Sequence, residues 1–88
     1  MEKEEHIEGA IKVKLLFFGP LAEKLNRRTM ELSLLYGTTI NQIIERFDFN
    51  SLISEGLVVA LDGDIGVDFD TKVQDSSEIA FLPPVSGG

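Results

Sequence analysis

The 88-residue sequence predicts an α+β fold, a mixed β-sheet with one main helix packed on one face. Three observations carry that reading. Ile11, Val13, Leu15 and Phe17 are apolar at every second position, the period of a half-buried strand. Ile40, Ile43, Ile44 and Phe47 recur at i, i+3, i+4 and i+7, the stripe of a helix resting on a sheet. A second apolar strand, Glu78 to Leu82, lies far enough from the first for that helix to supply the crossover that parallel neighbours need.

The first strand spans Ile11 to Phe18. Its second face, Lys12, Lys14, Leu16 and Phe18, begins charged and ends apolar. Gly19-Pro20 breaks it, Leu21 to Leu25 makes a single helical turn, and Asn26-Arg27-Arg28 is exposed loop. Thr29 to Leu35 is the second strand, with Met30, Leu32 and Leu34 on one face; its closeness to the first predicts an antiparallel pair. Tyr36-Gly37-Thr38 turns into the main helix. Thr39 and Gln42 have capping-box spacing, so each side chain can satisfy the other residue's free backbone N–H.

Asp48 to Ser51 reads as the helix exit. Leu57 to Leu61 is a continuous apolar run, hence a buried strand. Asp62-Gly63 is the strongest hairpin signal in the chain, and a short strand follows at Ile65 to Phe69. Thr71 to Ser77 is turn-rich and anchored by Val73; Glu78 to Leu82 is the last strand. The first and last strands are the most apolar, which places both at the centre of the sheet. Residues 1–9 read as a flexible acidic leader, 10–82 as the folded domain, and 83–88 as an extended tail ending in Gly-Gly.

Composition narrows the chemistry. With no cysteine there is no disulfide, thiolate metal site or cysteine nucleophile, and the single histidine, His6, sits in the leader without a partner. A formal net charge of −7 argues against nucleic-acid binding and favours basic partner surfaces. No apolar run approaches the ~20 residues of a membrane span, and the first residues lack the apolar core of a secretion signal, so the expected location is cytoplasmic. The acidic stretch Asp62 to Asp70 fails as a calcium loop, because Val67 and Val73 stand where glycine and glutamate are needed. No serine has a histidine partner outside the leader, and no glycine-rich phosphate loop follows a strand. The chain is not expected to be an enzyme on its own, nor to hold a metal or a permanently bound cofactor.

The chemistry that remains is at the end of the chain. Pro83 and Pro84 hold the strand direction outward, since proline fixes φ and pushes the preceding residue toward extended geometry. Gly87 and Gly88 carry no side chains, so the terminal carboxylate can enter a narrow channel. A carboxylate is a poor electrophile until it is activated, for example as an acyl-adenylate. If the first and last strands are parallel neighbours, Leu16, Phe18, Ala80 and Leu82 form an apolar patch on the sheet's open face beside the tail, a feature that marks a partner site.

Phe81-Leu82-Pro83-Pro84-Val85-Ser86-Gly87-Gly88 resembles the signature end of the MoaD family, the small sulfur-carrier subunits of molybdopterin synthase within the MoaD/ThiS ubiquitin-like superfamily. Ile11 to Phe18 resembles that family's first strand, and Asp70 to Ala80 its approach to the last. Ser86 stands where alanine is common and Leu82 where phenylalanine is frequent. The resemblance implies a ubiquitin-like β-grasp fold and a cycle. An adenylating enzyme of MoeB type activates Gly88 with ATP, a sulfur donor protein converts it to a thiocarboxylate, and the tail enters a large subunit of MoaE type to sulfurate a pterin precursor. In that cycle Gly88 carries the sulfur and Gly87 gives clearance. Leu82, Pro83, Pro84 and Val85, with Ser86 beside them and Phe18 from the first strand, line the partner contact. The alternatives are a ThiS-type carrier for the thiamine thiazole and a protein modifier captured by target lysines.

Overall fold

The computed structural model describes residues 9–84. The order is β1 (Ala10–Phe17), α1 (Pro20–Leu25), β2 (Thr29–Leu35), α2 (Ile40–Arg46), α3 (Asn50–Ile53), β3 (Val58–Leu61), β4 (Asp64–Ile65) and β5 (Glu78–Leu82). The strands form one mixed sheet in the order β2-β1-β5-β3-β4. β1 and β5 are parallel neighbours inside the sheet, while β1–β2, β5–β3 and β3–β4 are antiparallel.

The core lies between α2 and one face of the sheet. The odd-numbered residues of β1 join Ile79, Phe81 and Val59 under Ile40, Ile43 and Ile44. Thr39 Oγ1 accepts from the Gln42 N–H at 3.2 Å and Gln42 Oε1 accepts from the Thr39 N–H at 2.9 Å, closing the capping box. Two further N–H groups of the first turn, which no helical carbonyl can reach, donate to the returning loop: Ile40 to Thr71 O and Asn41 to Phe69 O. The start of the helix is thereby tied to residues 69–71.

The approach to β5 is held just as closely. Asp62 and Gly63 have positive φ, 49° and 92°, as a type I′ hairpin requires. The Asp62 N–H donates to Glu78 O, and its carboxylate accepts from the Glu78 N–H, both at 2.8 Å. On the other side the Lys12 N–H donates to Asp75 Oδ1 at 2.9 Å and the Ser76 N–H to Lys12 O at 2.7 Å, which extends the β1–β5 contact beyond the strand itself. Ser77 is buried, and its hydroxyl accepts from the Gln74 N–H.

Four expectations need correction. β1 ends at Phe17, one residue early, because the Phe18 carbonyl accepts the Leu21 N–H across the Gly19-Pro20 turn. The stretch after α2 is a second short helix preceded by the fully buried Phe49, which anchors it to the core before the chain enters β3. β3 is buried on both faces only at its centre, through Val59 and Ala60; Val58 remains half-buried on the side away from α2 and Leu61 on the side toward it. The strand expected at Ile65 to Phe69 is only Asp64–Ile65, because the Gly66 and Val67 N–H groups both turn in to Val59 O and end the ladder.

Candidate functional site

β5 is the element that points at the site. It is the middle strand of the five, flanked by β1 and β3, so its direction is set by two ladders rather than by one. Pro83 and Pro84 leave it half-buried, between two glycine turns from different parts of the chain. Gly19 has φ 53° and ψ −131°, a conformation that residues with a Cβ rarely adopt, and a Cβ placed there would lie 3.8 Å from Pro83 Cγ. Gly56 has φ 110°, and its would-be Cβ lies 3.6 Å from Pro84 Cβ. Two bare backbone turns therefore flank the root of the tail.

The sheet face away from α2 carries the apolar surface. Register sets Leu16 beside Ala80, Ala80 beside Ala60, and Ala60 beside Ile65, four strands abreast. The next row toward the tail pairs Leu82 with Val58. Phe18, 46% exposed, stands past the end of β1 rather than within it. Lys14 lies between Glu31 and Glu78 in the row below, so opposite charges sit side by side and close the apolar area on that edge. The structure thus brings Leu16, Phe18, Ala80, Leu82, Pro83 and Pro84 to one end of the sheet. Val85, Ser86, Gly87 and Gly88, like residues 1–8, lie outside the described residues.

Val58 and Ile65 add accessible apolar surface to this face, with Ala60 buried between them, and sequence reasoning missed all three. The run Leu57 to Leu61 has no alternation to mark its faces, and only pairing with β5 shows which residues turn outward. The Asp62-Gly63 turn carried a weak signal, since it fixes how the two arms of its hairpin face each other. Among the described residues no group of three or more histidine, cysteine, aspartate or glutamate side chains is placed to hold a metal ion. Among them, too, no helix is long and apolar enough to cross a membrane.

A mixed five-stranded sheet with its main helix on one face and a central last strand running into Pro83-Pro84 defines a ubiquitin-like β-grasp protein. Residues 15–88 match the ThiS family, and the chain belongs to that family. Among curated proteins none matches the sequence at a significant level. Solved structures share the fold. A candidate molybdopterin converting factor subunit 1 from Pyrococcus furiosus has TM-score 0.68 at 21% identity, covering 85% of this chain and 99% of that one. Small archaeal modifier protein 1 from Haloferax volcanii has TM-score 0.71 at 18% identity, covering 85% and 99%. The complex of subunits 1 and 2 of the molybdopterin-converting factor from Helicobacter pylori has TM-score 0.58 at 21% identity, covering 89% and 100%.

Proposed function

We propose that this chain is a sulfur carrier for molybdopterin synthesis, acting as the small, non-catalytic subunit of a synthase. The observation that carries the proposal is the launch of the tail. A central strand delivers Pro83-Pro84 between two glycine turns, beside an uncovered apolar face, and Gly87-Gly88 follow in the sequence. A carboxylate oxygen of Gly88 attacks the α-phosphorus of ATP on a MoeB-type enzyme, pyrophosphate leaves, and an acyl-adenylate forms. A donor protein supplying sulfur at the sulfide level displaces AMP and leaves a thiocarboxylate. That sulfur, anionic at neutral pH, is the nucleophile delivered to a pterin precursor in a MoaE-type large subunit. The activating partner consumes ATP, so the cycle belongs to the cytoplasm. The paired-subunit structure from Helicobacter pylori supports the choice of a large-subunit partner.

The intact mass of the protein isolated from its own cells tests this directly. A fraction should have one oxygen replaced by sulfur, confined to the C-terminal peptide. A uniform oxygen form, with the chain's C-terminal peptide joined through Gly88 to lysines of other proteins, supports the protein-modifier reading, which the fold of the archaeal modifier favours. Exclusive association with a thiazole synthase supports the ThiS-type carrier, which the family match favours.

The open face makes a separate prediction. Leu82→Asp sets a charge in the apolar row beside Val58, where a partner must dehydrate it. Binding to the large subunit is expected to weaken by at least about tenfold, while the thermal midpoint falls by only a few degrees because the side chain is half-exposed. Calorimetric titration together with a melting curve checks both; unchanged affinity removes the open face from the interface.

A further inference from the structure

Phe18 has apolar surface on one side and charge on the other. Beyond it runs an open groove of about 740 Å³, between the end of β1, α1 and the loop before β2. Leu16, Phe18 and Ala22 supply its apolar wall; Arg27 and Arg28 supply its charge, opposed by Glu23 alone. The whole chain has 8 basic and 15 acidic residues, a formal −7, yet the lining of this groove sums to +1 from two arginines and one glutamate.

The two arginines do not hang from a loose loop. Asn26 takes the left-handed conformation at φ 59°, and its N–H and that of Arg27 turn back to Glu23 O and Ala22 O. The Arg28 carbonyl accepts the Phe17 N–H at 2.8 Å, continuing the β1–β2 ladder. Both side chains are exposed. A guanidinium offers a planar fork of donors that matches a carboxylate, and adjacent forks on a held backbone can engage an acidic segment with little further ordering.

We propose that this groove docks a carboxylate-bearing segment of the enzyme that adenylates the tail. Arg27 and Arg28 take its acidic side chains, and Leu16 and Phe18 take an apolar neighbour. The inference rests on the carrier reading above. Activation is chosen as the step because sulfur transfer and isopeptide formation both require it. Leu16 and Phe18 border the open face as well as the groove, so a partner that covers the face reaches the arginines without a gap. On a molecule with a net charge of −7, the groove also favours one orientation, because the overall field opposes an acidic element while this lining attracts it.

The test is ATP–pyrophosphate exchange by the adenylating enzyme of the same organism, titrated with the full chain. The double variant Arg27→Glu, Arg28→Glu is expected to raise the KM for the carrier by about tenfold or more and leave kcat at saturation unchanged. Arg27→Lys, Arg28→Lys should retain most of the wild-type KM, and the wild-type KM should climb more steeply with salt than that of the Glu variant. A KM within about twofold of wild type, or a loss that falls on kcat instead, overturns the proposal. Absence of exchange with the wild-type chain sinks the carrier reading itself, a different result from normal exchange that ignores the arginines.

Discussion

Deleting Gly88 is expected to reduce sulfur transfer to background while the fold survives. Everything proposed for the tail passes through one carboxylate, and its reach is set by residue count. Extended backbone advances ~3.3–3.6 Å per residue, so a tail one residue short stops that far from the atoms that must adenylate it. Reacting atoms need an approach of about 3–3.5 Å, and a misplacement of ~1 Å already costs on the order of a hundredfold in rate. The shortened chain still ends in glycine, at Gly87, so no side chain is introduced at the terminus and the loss reports length alone. Stability should not change, since β5 ends at Leu82 and the core residues nearest the tail are Ile79 and Phe81. Single-turnover assays with the activating enzyme and the large subunit, alongside a denaturation curve, separate the two effects. A shortened chain that still transfers sulfur at the wild-type rate removes the terminus from the chemistry.

The largest stability effect is expected at Phe49. Its ring is fully buried, with centroids 6.4 Å from Phe17, 5.7 Å from Phe47 and 5.6 Å from Phe81. Phe17 and Phe81 are themselves stacked at 5.8 Å across the β1–β5 pair. Phe49 thus joins the two central strands to the end of α2. Its removal forfeits transfer free energy and leaves a void that these aromatic rings cannot all collapse into. Phe49→Ala should cost about 3–5 kcal/mol. In a domain of this size each kcal/mol lowers the midpoint by roughly 4–8 °C, so a fall on the order of 15 °C or more is expected. Phe18→Ala, at an exposed position, should shift stability by under about 0.5 kcal/mol and serves as the control. Thermal and denaturant melts of the two variants measure both, and a cost at Phe49 below about 1 kcal/mol would contradict the central place assigned to it.

Phe49 also shows where reading the sequence stopped short. It falls between Asp48 and Asn50, in a stretch whose composition reads as loop, and nothing local marks it as core. Its burial follows from the path the chain takes through α3 on its way to β3. Phe18 and Phe17 differ by one residue and have opposite fates: one is 46% exposed, the other 2%. Alternation alone anticipated that difference, because the odd positions of β1 form an unbroken apolar set. Val58 and Ala60 had no such signal, since all of their neighbours in the run are apolar too.

The amino-acid sequence by itself determined what depends on near neighbours. The faces of β1 and β2, the Thr39–Gln42 cap and the Asp62-Gly63 turn are each written within a few residues, where steric preference and short-range hydrogen bonds act. The parallel pairing of β1 with β5 was also legible, because both strands are apolar enough to require neighbours on either side. Only the tertiary structure decided which residues of β3 and β4 complete the open face, that Gly19 and Gly56 meet the prolines, and that two arginines line a groove beside Phe18. Those contacts join segments far apart in the chain, and their geometry comes from ladder register and from packing against the core, which no single segment encodes.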